Sequence, residues 1–309
     1  MRIVSLLPSA TEIVFALGLG DSLDGVTGDC DFPPEAERKP VVSESALPQG
    51  RQLSAGEVDR LVAGFMDRQE SIYRLDKDLI RQIQPDLILA QDLCRVCAVP
   101  SGQVEDALKE LGTSSTVLSL DPNTLDEVLG CITDVAEATG TQARGEELVA
   151  GLRARIDRIK AAAARLPTIR TFCLEWSDPP YVAGHWIPGM VEVAGGTNLL
   201  AGKAEPPDPS PSRAVTWRQI GDAGPEVIVF MPCGYYLEEA EAEAEGLFAQ
   251  PDFAGTPAAR IGAVFAVEAT SYFSRPGPRL VDGLEILAWA IHPEAFPEPP
   301  GGTIARVRG

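Results

Sequence analysis

The chain has 309 residues, 45% hydrophobic and 23% charged, which is enough material for two compact lobes with cores of their own. Lys and Arg total 26 against 45 Asp and Glu, a formal charge of −19, and so acidic a surface repels phosphate backbones and anionic lipid head groups. No nucleic-acid partner is therefore expected, and with no stretch approaching the roughly 20 continuous apolar residues needed to cross a bilayer, no membrane insertion either.

The opening run Met1 to Pro8 has one basic residue followed by apolar ones. Glu12 interrupts it and no small-residue cleavage site follows. Ile3 to Leu7 is expected as a core strand, and Ser9-Ala10-Thr11-Glu12 as a capping box that opens a helix. Read as written, the chain is expected to be cytoplasmic; if a leader has been removed, a periplasmic or surface-anchored location follows instead.

From there short apolar runs alternate with helical patterns, as a parallel sheet with crossover helices requires. Strands are expected near residues 2–7, 24–27, 86–90 and 115–120, and helices near 10–17, 55–69 behind the capping box Ser54 to Glu57, 77–84 and 102–111. Residues 124–165 carry almost no strand signal. Thr124-Leu125-Asp126-Glu127 reads as another capping box, Thr139-Gly140 as a joint between two helices, and Leu148, Leu152, Ile156 and Ile159 share one face of the second helix. A helix over 141–165 would be ~37 Å long at 1.5 Å per residue. After Leu166-Pro167 the alternation resumes, with strands near 169–175, 226–231 and 262–268 and helices near 188–194, 216–222, 237–248 and 278–291. The proline-rich run 205–211 reads as a surface loop. The expected fold is thus α/β: an N-terminal lobe over 1–123, a helical connector over 124–166 and a C-terminal lobe over 167–309, each lobe a parallel sheet flanked by helices. One long backbone helix joins the lobes, with a ligand cleft between them.

In open parallel sheets ligands lie beyond the carboxyl ends of the strands, and the loops at those ends hold the chemically unusual residues. In the first lobe these are Pro8 and Ser9, then Cys30, Asp31 and Phe32, then Asp92, Cys94, Arg95 and Cys97. In the second they are Glu175, Trp176 and Asp178, then His185 and Trp186, then Cys233, Tyr235 and Tyr236, then Tyr272, Phe273 and Arg275.

The run Arg2-Ile3-Val4-Ser5-Leu6-Leu7-Pro8-Ser9-Ala10-Thr11-Glu12 resembles the opening of the cobalamin and iron-siderophore substrate-binding proteins of ABC importers, the helical-backbone or class III type. Tyr73-Arg74-Leu75-Asp76, Pro85-Asp86-Leu87-Ile88-Leu89 and Asp92-Leu93-Cys94-Arg95-Val96-Cys97 are similar to its cobalamin-binding branch. Glu175-Trp176, Ala183-Gly184-His185-Trp186, Pro232-Cys233-Gly234 and Arg275-Pro276-Gly277-Pro278-Arg279 extend the likeness over nearly the whole chain. The resemblance implies a binding protein rather than an enzyme, a cobalamin-like corrinoid as ligand and, if the chain is exported, an ABC importer permease as partner. The same superfamily also holds receptors for iron complexes, siderophore or haem.

Aromatics are 6% of the chain, so the concentration of Trp176, Trp186, Tyr235, Tyr236, Tyr272 and Phe273 in these loops suits the broad apolar faces of a corrin ring; ordinary core packing is the alternative for each. His185 could donate its imidazole to cobalt or bond a corrin amide. His292, followed by Pro293, reads as a helix-terminus residue satisfying carbonyls. Of the six cysteines, Cys131 falls in a helical stretch and Cys30, Cys94, Cys97, Cys173 and Cys233 at strand ends and loops. Cys30, Cys94, Cys97 and Cys233 could converge on zinc or an iron-sulfur cluster, which would make the chain a metal-centre protein on the same fold; reduced thiols packed at tight turns are the plainer reading. The glutamates at 238, 239, 241, 243 and 245 fall on all sides of their helix and read as solvated. No phosphate loop, zinc-protease helix or nucleophile elbow is present.

Overall fold

The computed structural model describes residues 1–48, 53–68, 71–92, 101–111, 114–202 and 211–309. The chain divides into two compact units, Met1–Pro122 with Glu127–Ala150, and Asn123–Asp126 with Gly151–Gly309.

The first unit runs β1 (Ile3–Ser5), α1 (Pro8–Ala16), β2 (Leu23–Thr27), β3 (Val41–Ser45), α2 (Ala55–Asp67), β4 (Tyr73–Leu75), α3 (Lys77–Ile83), β5 (Leu87–Ala90), α4 (Ser101–Leu111) and β6 (Thr116–Ser119), followed by most of α5 (Leu125–Thr139) and the start of α6 (Gln142–Ala163). Its six-stranded sheet has the order β4-β3-β2-β1-β5-β6. All neighbours are parallel except β3 and β4. Because β1 has β2 on one side and β5 on the other, the strand order reverses there, and the loop leaving β1 toward α1 opens at the switch point.

The capping box expected at Ser9 is not what starts α1. The helix begins one residue earlier, at Pro8, with Leu7 as an N-cap that makes no side-chain bond. Proline at the first position supplies the helical φ and lacks the N–H that a cap would have to satisfy, which leaves Ser9 and Glu12 buried inside the helix. The box at the head of α2 does form: Ser54 Oγ accepts from the Glu57 N–H and the Glu57 carboxylate accepts from the Ser54 N–H. Gly18 ends α1 at φ 70° and Gly140 separates α5 from α6 at φ 70°, the left-handed geometry glycine adopts without penalty. At the far end of α1 the Arg144 guanidinium, from α6, donates to the Leu17 carbonyl at 2.8 Å. Val4, Leu6, Val42, Ile80, Ile88, Ala90, Val104 and Leu108 form the core between the sheet and α3 and α4.

The second unit continues α6 and adds β7 (Ile169–Ser177), β8 (Pro180–Val182), α7 (Ile187–Val193), β9 (Gly196–Asn198), β10 (Arg213–Ala214), α8 (Trp217–Ala223), β11 (Val227–Phe230), α9 (Leu237–Leu247), α10 (Pro251–Ala254), α11 (Pro257–Ile261), β12 (Val264–Val267), α12 (Ala269–Tyr272), α13 (Leu280–Ile291) and β13 (Ile304–Val307). The sheet order is β10-β8-β7-β11-β12-β13, with β9 also on β7. Strands β7, β11 and β12 form the parallel centre, β9 pairs parallel with the start of β7, and β8, β10 and β13 are antiparallel additions.

Every residue of β11 and β12 is buried, as befits strands covered on both faces. Along β7 the faces alternate: Phe172 and Leu174 enter the core beneath α8, α9, α10 and α11, while Cys173 between them is fully buried and outside that cluster. The expectation that Cys173 sits at a strand end or loop is thereby corrected. It is an inert core residue whose thiol burial pushes far above its ordinary value. Cys131, buried in α5, is likewise pushed up to about 12, chiefly by burial.

Helix α6 is 22 residues long, about 33 Å at the helical rise. Leu152 and Ile159 are buried and Leu148 and Ile156 half-buried, the stripe read from the sequence. On the second unit's stretch of α6, Arg155 forks between Glu285, at 2.8 and 3.0 Å, and Asp282 on α13.

Candidate functional site

In the second unit the loops at the carboxyl ends of β7, β11 and β12 form one connected cluster. Trp176, near the end of β7, meets Tyr235, which follows β11, edge to face: the ring centroids are 5.6 Å apart and the planes 78° to each other. This is the preferred aromatic geometry. Both rings are half-buried, whereas Tyr236 is 48% exposed. The Tyr235 carbonyl accepts from the Thr270 N–H of α12 at 3.2 Å, so the β11 and β12 loops are tied through the backbone.

Trp186 and Phe273 stand apart from that exposed set. Trp186 is 7% and Phe273 3% exposed, and the Trp186 indole N–H donates to the Phe273 carbonyl at 2.9 Å. They hold the His185 turn onto the α12 loop from within. Arg275 is also buried, at 7% exposure, and Tyr272 is half-buried under the Arg279 guanidinium at 5.8 Å.

His185 occupies the left-handed region at φ 52°, a conformation costly enough for a non-glycine residue that its surroundings must impose it. The turn is held by a half-buried knot. Ser212 Oγ donates to the Glu175 carboxylate while accepting from the Gly184 N–H at 3.1 Å. Burial raises the Glu175 carboxyl above the ordinary range, only partly offset by those donors. The His185 ring is half-buried, lies 5.7 Å from Trp186, and has Nδ1 at 3.4 Å from Asn123 Oδ1. Burial lowers its basicity, which keeps the imidazole neutral and its lone pair available.

Glu243 on α9 corrects the reading of its glutamate series as solvated. Its carboxylate accepts from Ser177 Oγ at the end of β7, and after burial its charge helps to raise the Tyr235 phenol above its ordinary value. Neither Glu243 nor Ser212 carries a sequence signal for this role, since their partners lie 66 and 37 residues away.

In the first unit, Pro8 is half-buried and Ser9 buried at the switch point. Cys30 is buried with its sulfur 3.1 Å from Thr11 Oγ1, Asp31 is half-buried and Phe32 is 41% exposed. Cys30 and Asp31 line a hollow of about 240 Å³ together with Val26, Thr27, Gly28, Ala36, Glu37 and Val41. Asp92 is exposed, its N–H bonded to Asp121 Oδ1 at 2.5 Å. Cys94, Arg95 and Cys97 lie outside the described residues. Cys233 is exposed on the second unit, and among the described residues no three His, Cys, Asp or Glu side chains are grouped to hold a metal ion. His292 does close α13, where its N–H bonds the Ala288 carbonyl, but its ring is buried beside Phe296.

Comparison with known proteins gives these loops a context. The family model described as periplasmic binding protein matches residues 3–270. The chain is 26% identical to the uncharacterized ABC transporter substrate-binding lipoprotein YvrC of Bacillus subtilis, over 96% of this chain and 82% of that one. It is also 26% identical to the vitamin B12-binding protein of Vibrio cholerae, over 92% and 86%. Among solved structures, the periplasmic haem-binding protein RhuT from Roseiflexus aligns at TM-score 0.67 and 27% identity, covering 95% of this chain and 98% of that one. The periplasmic vitamin B12-binding protein BtuF of Vibrio cholerae aligns at TM-score 0.66 and 24% identity, covering 94% and 96%. These relatives are lipoprotein or periplasmic proteins, which overturns the expectation of a cytoplasmic chain. The two-lobe α/β fold inferred from the resemblance is the one the chain adopts, and the chain belongs to the periplasmic binding protein family.

Proposed function

We propose that the chain is the substrate-binding component of an ABC importer and that its ligand is a cobalamin-like corrinoid. The observation that carries this reading is the aromatic cluster of Trp176, Tyr235 and Tyr236, with His185 held nearby by a half-buried knot, at the carboxyl ends of the second unit's strands. Rigid rings of this kind offer a flat macrocycle contact area at little entropic cost. The formal charge of −19 favours a roughly neutral ligand over an anionic one, and the vitamin B12-binding relatives agree with a corrinoid. The proposed ligand contacts on the second unit are Trp176, His185, Tyr235, Tyr236 and Tyr272. A permease is the corresponding protein partner.

Haem is the second reading, favoured by the His185 imidazole, which burial keeps neutral and able to ligate iron, and by the likeness to a haem-binding protein. Calorimetric titration of ligand-free protein with cyanocobalamin, cobinamide and ferric haem separates the two. The expected result is saturable one-to-one corrinoid binding that tints the purified complex red. Saturable haem binding with no corrinoid binding would replace the first reading with the second.

A further inference from the structure

Just past the end of β8, two side chains meet from opposite sides. The sheet order β10-β8-β7 sets β8 between the strands that supply them. On the β7 side Leu174 pairs with Val182 and Trp176 with Tyr181, so Glu175 is an extra residue, a bulge of the kind that re-aims a side chain. On the other side Arg213 pairs with Val182, which places Ser212 beside the first residues beyond β8. The Ser212 hydroxyl gives its proton to the Glu175 carboxylate and takes the Gly184 N–H on a lone pair at 3.1 Å. We propose that Ser212 is a positioning residue for ligand binding: bonded to Glu175 on one side and to Gly184 on the other, it holds His185 in its left-handed conformation and so fixes the imidazole before a ligand arrives. The inference rests on the reading of His185 as a ligand contact, and goes beyond it by naming what orients that contact.

His185 needs such a holder. At φ 52° it keeps a conformation that a non-glycine residue retains only where its surroundings over-determine it. The Ile187 N–H closes the turn on the Gly184 carbonyl at 3.1 Å, and on the downstream side the Trp186 indole N–H is fixed to the Phe273 carbonyl at 2.9 Å. The upstream side is fixed by Ser212, through the N–H of the residue next to His185. The ring itself is held weakly, because 3.4 Å from Nδ1 to Asn123 Oδ1 is long for a hydrogen bond, so the backbone sets where the imidazole stands. Gly184 is buried and Ser212 half-buried, and water therefore replaces the two Ser212 bonds only in part if the hydroxyl is lost. A contact that is already in place spares the ligand the cost of ordering it.

Two measurements test this. The first needs no ligand: the chain has two histidines, so the imidazole proton resonances belong to His185 and His292, and His292→Gln assigns them. Ser212→Ala is expected to move the His185 resonances and leave those of His292 in place, and Ser212→Thr, which keeps the hydroxyl, to return them. Unmoved His185 resonances, or both histidines moving together, would overturn the inference. Ser212→Cys, which keeps the size of the side chain and weakens both bonds, takes the place of the alanine variant if that one does not fold. In the second, the parent, Ser212→Ala, His185→Ala and the double variant are titrated with cyanocobalamin and with ferric haem. Ser212→Ala is expected to weaken binding about tenfold in the parent and to cost nothing further once His185 is alanine, since a residue that acts through another has no effect without it. The same loss in both backgrounds, or none in either, would also overturn the inference. Binding of neither compound by the parent would sink the ligand reading alone, and the resonances would still decide whether Ser212 holds His185.

Discussion

At the scale of single residues, the aromatics of the second unit have separate functions. Trp176 and Tyr235 keep partly open faces, while Trp186 is buried with its N–H spent on Phe273. Trp176→Ala is therefore expected to weaken ligand binding by about 1–3 kcal/mol, as removal of an aromatic anchor does, with the denaturation midpoint little changed. Trp186→Ala is expected to lower the midpoint first, because it empties a buried site and strands the Phe273 carbonyl. Calorimetry beside a urea titration separates the two. The histidines carry a pH dependence. His185 and His292 are both less basic in the folded chain because burial disfavours their charged forms, so near and below their ordinary value of 6.5 the unfolded chain binds more protons. Their contribution to stability is present above that pH and is lost as the pH falls toward their folded values. Glu175 acts in the opposite sense: its raised folded value gives stability that is present below 4.5 and is lost as the pH rises through that folded value. Comparing the parent with His292→Gln isolates one histidine, and the urea midpoint of the variant is expected to fall less steeply between about pH 7 and 5. Parallel curves would remove His292 from the account.

At the scale of elements, the strongest clamp described is Arg155 of α6 on Asp282 and Glu285 of α13. Its guanidinium side chain is 27% exposed, so solvent screening is incomplete, and removal would leave two carboxylates close together. Arg155→Ala is expected to destabilise the chain by about 1–3 kcal/mol, read as a lowered urea midpoint; a change within a few tenths would make the pair a surface ornament. This clamp was not legible in the sequence, because its partners are 127 and 130 residues away. The apolar stripe of the same helix was, because helical spacing alone reveals it. The division holds elsewhere. The central strands β1, β2, β5, β6, β7, β11 and β12 announced themselves as apolar runs, whereas β4, β8, β9 and β10 span two or three residues each, too few for a periodicity to register. For β3, Ser43 and Glu44 break the apolar run, and its edge partner β4 is half open to solvent. The aromatic rim could be read because its residue types are rare and grouped. Glu243 could not, since nothing local distinguishes it from its four neighbouring glutamates.

At the scale of the whole molecule, the acidic balance governs approach. A net charge of −19 acts over ~30 Å at 0.01 M salt but only about 8 Å at physiological ionic strength. The association rate of a neutral corrinoid is therefore expected to vary by less than about twofold across that range, while that of dianionic haem rises several-fold as salt screens the repulsion. Stopped-flow mixing at several salt concentrations reads both; a corrinoid rate that climbs with salt would mean that the protein field reaches the ligand in a way its neutrality forbids.

The chain's route through its two units has a consequence for synthesis. Asn123–Asp126 belongs with the second unit, although the residues on either side, through Pro122 and from Glu127 to Ala150, belong to the first. The first unit is thus not a continuous stretch of polypeptide, and it lacks most of α5 and the start of α6 until residue 150 has left the ribosome. By then the buried helix face of Val128, Ile132 and Val135 can cover its core, and the Arg144 side chain can reach the end of α1. A growing chain stopped at Pro122 carries every strand of the first sheet and still has an open hydrophobic flank. The shortest nascent fragment able to resist proteolysis should accordingly end inside α6 rather than in the loop after β6.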